Sequence, residues 1–273
     1  MAPIDDDLIF GGPLAELYDR HLVPLIFEPY ADNLAREVAG FAPKRVLEIA
    51  AGTGVATRAL STALPTDTEL VATDLNQPML DQAQAIGTRR PVTWRQADVM
   101  ALPFDADEFD VVACQFGVMF FPDRADAYRE VARVLAPEGR FVFNIWDRIE
   151  TNEFADAITA AARSVFPDDP PLFLPRTPHG YHDETRIRAD LADAGLAMES
   201  MVAMEARSRA ETPAIPAIAY CQGTPLRNEI ESRDADLLAT VTAAATAEVE
   251  RRFGPGPVDG LIRGFVVTAG SRS

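Results

Sequence analysis

Gly52 and Gly54 bracket one threonine in the run Val46-Leu-Glu-Ile-Ala-Ala-Gly-Thr-Gly-Val-Ala-Thr57. The residues before them are apolar enough for a strand, and those after them read as a helix. Two glycines let the backbone turn tightly and approach a ligand with no Cβ in the way. The helix N-terminus then offers free N–H groups to an anion. Asp74 follows 20 residues after Gly54, at the end of the next apolar run. A carboxylate there can accept hydrogen bonds from two ribose hydroxyls. Glu48 adds a second anion just before the turn.

A glycine turn with a strand-end Asp suits two nucleoside ligands, a dinucleotide and S-adenosylmethionine. The dinucleotide fingerprint wants a third small residue three positions after the second glycine, and here that position is Thr57. Glu48 would repel a pyrophosphate, whereas it would attract the ammonium and sulfonium of S-adenosylmethionine. Blander readings exist beside these. Glu48 could pair with an arginine, Asp74 could cap a helix, and Asp98 could be a turn residue. Cys114 reads as a buried strand residue.

The elements around these residues alternate. Strand-like runs cover Arg45–Ala50, Glu69–Asp74, Val92–Arg95, Phe109–Cys114 and Arg140–Trp146, with helical text at Val55–Leu64, Pro78–Ile86 and Ala125–Leu135. Such alternation predicts an α/β fold built from βαβ units on a parallel sheet. Asn76 is the expected cap of the helix containing Pro78. Before this core, residues 12–40 read as two helices broken near Pro24 and Pro29. After it come a helix from Asn152 to Val165, a proline-rich loop over Phe166–Pro178, and a helix over Asp183–Ala194. A strand at Leu196–Ala206, one long helix over Arg227–Phe253 and a last strand at Leu261–Ala269 complete the reading. The chain is expected to be one domain over 1–273. It comprises lid helices in 1–40, a cofactor-binding core over 44–147 and a substrate lid over 165–230.

Four linked segments carry a resemblance to a known family. Val46–Gly54 resembles the first motif of class I S-adenosylmethionine-dependent methyltransferases. Thr73-Asp74-Leu-Asn-Gln-Pro-Met-Leu80 resembles the second, and Gln96-Ala-Asp98-Val-Met-Ala-Leu-Pro-Phe104 the third. Phe109–Phe116, followed by Phe120-Phe-Pro-Asp123, resembles the fourth strand and the mouth of the active site. Val131–Val142 resembles the helix and fifth strand that follow. The flavour is that of the ubiquinone/menaquinone-biosynthesis-type group of small-molecule methyltransferases, over about residues 44–147. The resemblance implies a doubly wound, seven-stranded, mainly parallel sheet, the Rossmann-like methyltransferase fold, with a helical lid. It implies S-adenosylmethionine as cofactor and S-adenosylhomocysteine as product. By the same resemblance, Glu48, Ala50, Gly52, Thr53 and Gly54 line the methionine portion. Asp74 takes the ribose, and Leu75 and Met79 pack on the adenine. Asp98 and Val99 meet the adenine's polar edge, and Gln115 and Phe116 begin the wall toward the substrate. Ala51 and Ala50 stand where the family often has cysteine and glycine, and both changes are expected to leave the turn intact.

Methyl transfer from a sulfonium is an in-line displacement with a neutral leaving group, so alignment and desolvation can supply much of the catalysis. No triad or metal is required, and none is expected here. Two cysteines cannot build a four-thiolate site. An oxygen acceptor would call for a base; the candidates are His21, Tyr18, His179 and His182. Tyr18, Phe120, Trp146 and Tyr181 are the expected substrate walls for a small, largely apolar or aromatic molecule. Two alternatives remain beside methyl transfer: a catalytically silent S-adenosylmethionine-binding protein and an NAD-dependent oxidoreductase.

Charge narrows the partners. The 273 residues carry 42 acids against 25 bases, a net charge of −17, and Lys44 is the only lysine. Phosphate binding rests on Lys and Arg, so nucleic acid is not expected, and Arg89, Arg90 and Arg95 read as a solvated edge. No apolar run reaches the roughly 20 residues of a membrane span, so no membrane insertion is expected. The acidic start at Asp5–Asp7 is unlike a secretory signal, which makes the cytoplasm the expected location. A homodimer is left open.

Overall fold

The computed structural model describes residues 13–271, and the Asp5–Asp7 run lies outside them. Seven strands form one sheet: β1 (Arg45–Glu48), β2 (Glu69–Asp74), β3 (Thr93–Gln96), β4 (Phe109–Gln115), β5 (Leu135–Trp146), β6 (Leu196–Ala210) and β7 (Val258–Ser271). Their order is β3-β2-β1-β4-β5-β7-β6. The first five strands are parallel, and β7 runs antiparallel between β5 and β6.

The chain moves outward from β1 to β3, then returns to lay β4 on the other side of β1. That reversal opens a crevice beyond the carboxyl ends of β1 and β4, where α/β sheets bind ligands. Both faces of the sheet are covered. Side chains alternate along β4, so Val111 and Ala113 join one apolar layer while Val112 and Cys114 join the other. The first layer is closed by α2 (Glu28–Gly40) and α3 (Val55–Ala63) through Leu34, Val38, Ala56 and Leu60. The second packs beneath α5 (Arg124–Val134), α6 (Glu153–Val165) and α8 (Glu184–Asp193).

The N-terminal helices differ from the expected break. After α1 (Pro13–Leu17) the chain stays helical to Gly40, but Tyr18–Phe27 winds as a π-helix. The Glu28 N–H reaches back five residues to the Val23 carbonyl. Pro24 lies inside this stretch and can donate no hydrogen bond, so the wider winding absorbs the proline without ending the helix. Tyr30, fully buried, donates its hydroxyl to the Met204 carbonyl at 3.0 Å and fastens α2 to β6.

The C-terminal lid also departs from expectation. Within the proline-rich loop, Phe173–Arg176 forms a short helix, α7, and the apolar stretch after β6 carries α9 (Ala214–Gln222). The expected long helix is two: α10 (Leu226–Arg233) and α11 (Leu238–Phe253). Asp234 separates them in an extended conformation (φ −161°, ψ 109°), its carboxylate accepting the Asp236 N–H. An Asp that bonds its own downstream backbone offers an alternative to helix, and that bond interrupts an otherwise helical run. α4 (Gln77–Ile86) starts at Asn76 with no bond from that side chain. Among the described residues no helix is long and apolar enough to cross a membrane.

Candidate functional site

Two adjoining cavities open at the carboxyl ends of the strands. Ala50, Gly52, Asp74, Met79, Asp98 and Gln115 are among the residues lining the first. Leu22, Phe27, Trp146, Phe173, His179 and Tyr220 are among those lining the second. Tyr18, Phe116 and Phe120 line both and form the wall between them.

Asp74 is the polar centre of the first cavity. It is buried, and its two oxygens accept the N–H groups of Gly52 and Asn76, each at 2.8 Å. The carboxylate thus ties the glycine turn to Asn76, the residue that precedes α4. Burial raises its pKa, opposed by those same N–H bonds. Each oxygen keeps a further lone pair for a ligand. Asp98, at the far side, is exposed and accepts the Met100 N–H at 2.9 Å. It is a turn residue whose second oxygen is left uncommitted by that bond.

The floor of the cavity is strained. Ala50 and Phe116 both take left-handed backbone, at φ 53° and 52°. Such a conformation costs roughly 1–2 kcal/mol for a residue with a Cβ, and strain of this kind gathers at ligand sites. Gly52 is at φ 56°, and a Cβ there would meet no atom within 4 Å. The turn leaves open room at that point. Gly117, by contrast, lies so close to Ala50 and Cys114 that a Cβ would clash at 2.5 and 2.7 Å.

Glu48, Thr53 and Gly54 do not line either cavity. Glu48 is 1% exposed and its Oε2 has no hydrogen-bond partner. Burial pushes its pKa up to about 8, opposed by the neighbouring Thr57 hydroxyl and then by the Arg58 charge. Thr53 donates its hydroxyl to Asp19 at 2.9 Å, and Arg58 pairs with the same carboxylate at 3.6 Å. The glycine turn is thereby fastened to the π-helix that carries Tyr18. Asp19 has no signal in the sequence, being 34 residues away. Gln115 lines the first cavity, donates to the Phe27 carbonyl at 3.0 Å, and leaves its Oε1 without a partner.

In the second cavity, Trp146 stacks on Phe116 at 3.7 Å between ring centres and 6° between planes. Phe27 packs against both. The expected wall residue Tyr181 is elsewhere. It is buried, accepts from the Tyr128 hydroxyl at 3.3 Å, donates to Asp190 at 2.8 Å, and carries Arg124 over its ring. These bonds commit it to joining α5 to α8. His21 lies on an outer groove with Arg20 and Arg209, away from both cavities. His182 donates from Nδ1 to the His179 carbonyl at 2.9 Å and lines neither cavity. Tyr18 faces the cavities, but enclosure and then the Asp74 and Asp19 carboxylates push its pKa up, so it stays protonated. Of the proposed bases, His179 lines the second cavity and its Nδ1–H bond leaves Nε2 with a lone pair. No group of three or more His, Cys, Asp or Glu among the described residues could hold a metal ion.

Residues 47–143 match the model of the methyltransferase domain family. Over that stretch the core is similar to a methyltransferase domain. A ubiquinone/menaquinone biosynthesis C-methyltransferase of Ectopseudomonas mendocina is 39% identical over 111 residues, 39% of this chain and 43% of that protein. The demethylmenaquinone methyltransferase of Thermus thermophilus is 42% identical over 103 residues, 37% of this chain and 46% of the relative. The chain thus spans a little under half the length of these curated relatives. Among solved structures, the YcgJ protein of Bacillus subtilis superposes with a TM-score of 0.57 at 21% identity, covering 90% of this chain and 99% of that one. The [4+2]-cyclase SpnF superposes with a TM-score of 0.60 at 16% identity, covering 100% and 98%. These likenesses carry the methyltransferase fold alone, and a cyclase among them shows why chemistry must be argued from the site.

Proposed function

We propose that this methyltransferase binds S-adenosylmethionine in the first cavity and transfers its methyl group to a small, largely apolar or aromatic molecule in the second. The observation that carries this reading is the shared wall: Tyr18, Phe116 and Phe120 belong to both cavities. Two ligands held there would meet edge to edge, which an in-line displacement needs. The residues fit the donor. Asp74 has lone pairs for a ribose diol, Met79 offers an apolar face, Asp98 a free oxygen for an amino group, and Gly52 leaves space beside the turn. The unpartnered Oε1 of Gln115, which lines the first cavity, supplies negative potential for a cation.

When bound, the donor supplies an electrophilic methyl group on a sulfonium. The chain's own part is to align and dry the reactants: orientation alone can supply roughly 7–11 kcal/mol of a barrier. The Phe116–Trp146 stack holds the partition rigid, and Gln115 ties the π-helix over it. The relatives are named for menaquinone and ubiquinone biosynthesis, and the aromatic walls of the second cavity suit a quinone-type ring. The acceptor is a free small molecule, not nucleic acid, in keeping with the net charge of −17, and the working location is the cytoplasm.

Calorimetry with S-adenosylmethionine and S-adenosylhomocysteine tests the donor half. No heat at millimolar ligand would end the proposal. For the acceptor half, Trp146→Leu is expected to raise the acceptor KM about tenfold while the donor Kd stays within about twofold, because Trp146 lines only the second cavity. Equal losses for both ligands would make the ring a structural prop.

Glu48 yields a pH prediction. With its pKa raised to about 8, the ligand-free fold holds it neutral at pH 7. The associated stability is fully present below the ordinary carboxyl pKa and is lost as pH rises through about 8. A bound cation favours the ionised form, so donor binding at pH 7 is expected to release a proton. Titrations in buffers of different ionisation enthalpy measure that proton. Wild type should release it and Glu48→Gln should not; a proton-neutral wild type refutes the assignment.

A further inference from the structure

The second cavity is walled mainly by apolar side chains, and two of its residues bring polar atoms that the fold leaves unused. His179 is 5% exposed. Its Nδ1 lies 2.8 Å from the Asp147 carbonyl. A carbonyl oxygen only accepts, so Nδ1 carries the hydrogen and the bond fixes the tautomer. Burial lowers the pKa of the ring to about 4, so it is neutral at ordinary pH. Nε2 therefore holds a lone pair, and it has no partner among the described residues. The backbone N–H of His179 is bound to the Leu174 carbonyl at 3.1 Å, and Trp146 packs beside the imidazole with ring centres 6.1 Å apart. The Nδ1 bond and the Trp146 ring thus orient the imidazole within the cavity.

Tyr220 lines the same cavity from α9 and is 4% exposed. Its hydroxyl has no hydrogen-bond partner among the described residues, and burial pushes its pKa above the ordinary tyrosine value. It remains a donor. The cavity thus pairs one fixed acceptor with one donor against Leu22, Ile26 and Phe27.

We propose that His179 selects the methyl acceptor: its Nε2 accepts a hydrogen bond from an O–H carried by the molecule in the second cavity, while Tyr220 donates to that molecule's oxygen. This deepens the methyl-transfer reading and rests on it. An apolar ring lacking the hydroxyl would seal a lone pair and an O–H in a dry site without partners, which disfavours it. Because burial disfavours the imidazolium, His179 orients the acceptor's O–H and does not store its proton.

Binding alone tests this, with no donor present. The probes are 2-naphthol and 2-methoxynaphthalene, which share shape and differ in the O–H. Wild type is expected to bind 2-naphthol about tenfold more tightly by calorimetry. His179→Phe should bring that ratio to near one. Tyr220→Phe should weaken both probes and leave the ratio standing, since both oxygens accept. Equal affinity of the two probes for wild type, failure of both to bind, or a ratio that survives His179→Phe would overturn the proposal. The wild-type comparison decides even if a variant fails to fold. Retained S-adenosylhomocysteine binding in that case would leave methyl transfer intact and remove only the role of His179.

Discussion

Asp74→Ala is expected to weaken S-adenosylmethionine binding by more than tenfold while the protein keeps its fold. The carboxylate bonds both Gly52 and Asn76, at 2.8 Å each, so it shapes the turn and faces the cavity at once. Losing two hydrogen bonds from a ligand diol to a charged acceptor is worth roughly 1.5–3 kcal/mol per bond, which exceeds a factor of ten. The fold loses less. The carboxylate's buried charge is already penalised, as its raised pKa shows. Removing it returns that desolvation, and water in the open cavity can bond the freed N–H groups. Asp74→Asn is the sharper variant. It keeps the volume, but one oxygen becomes an NH2 that can only donate, so the Gly52 or the Asn76 N–H faces another donor. Both variants should melt within a few degrees of wild type and bind the donor poorly in calorimetry. An unchanged Kd in either would remove the ribose role.

The first cavity was largely legible because its residues are local. Gly52, Asp74, Asp98 and Gln115 each follow a strand end, and a parallel sheet brings strand ends together whatever lies between them. The alternation of strands and helices from Lys44 to Asp147 was readable for the same reason: period and turn chemistry are short-range signals. The seven-stranded, mainly parallel sheet came from family resemblance, while the strand order and the antiparallel β7 are seen in the structure, since periodicity is silent on which strands neighbour.

The second cavity was legible only in part, through Tyr18, Phe120, Trp146 and His179, which the sequence offered as wall or base candidates. Leu22 and Phe27, Trp146, Phe173 and His179, and Tyr220 come from separate stretches, joined by packing that no spacing encodes. Tyr181 illustrates the converse. As an aromatic in the lid it resembled a wall residue, yet its hydroxyl is bonded to Tyr128 and Asp190, and only coordinates reveal such partners. Pro24 looked like a helix break because proline ends a regular α-helix; the π-winding that accommodates it depends on the buried Leu22, Val23, Leu25 and Ile26.

Glu229→Ala is expected to lower stability by about 4 kcal/mol and to open the acceptor cavity. Glu229 and Arg176 are each 8% exposed at the side chain and pair at 2.5 Å. The Glu229 Oε2 also accepts the N–H groups of Leu172 and Phe173, at 2.7 and 3.1 Å, at the start of α7. One carboxylate therefore holds the segment that presents Phe173 and Leu174 to the second cavity, with His179 five residues beyond Leu174. Truncating it removes one partner of a buried ion pair, a change that costs about 3–5 kcal/mol, and leaves the Leu172 and Phe173 N–H groups short of an acceptor. For a chain of this size that is a fall of about 10 °C in melting temperature. The converse variant separates charge from packing. Replacing both partners by methionine removes the buried charges together and should recover much of the stability, although Leu172 and Phe173 still lack their acceptor. Donor affinity should be unchanged in all these variants, because α7 lines only the second cavity. A Glu229→Ala protein that melts with wild type would mean that solvent reaches the pair and that the lid is held by its apolar contacts alone.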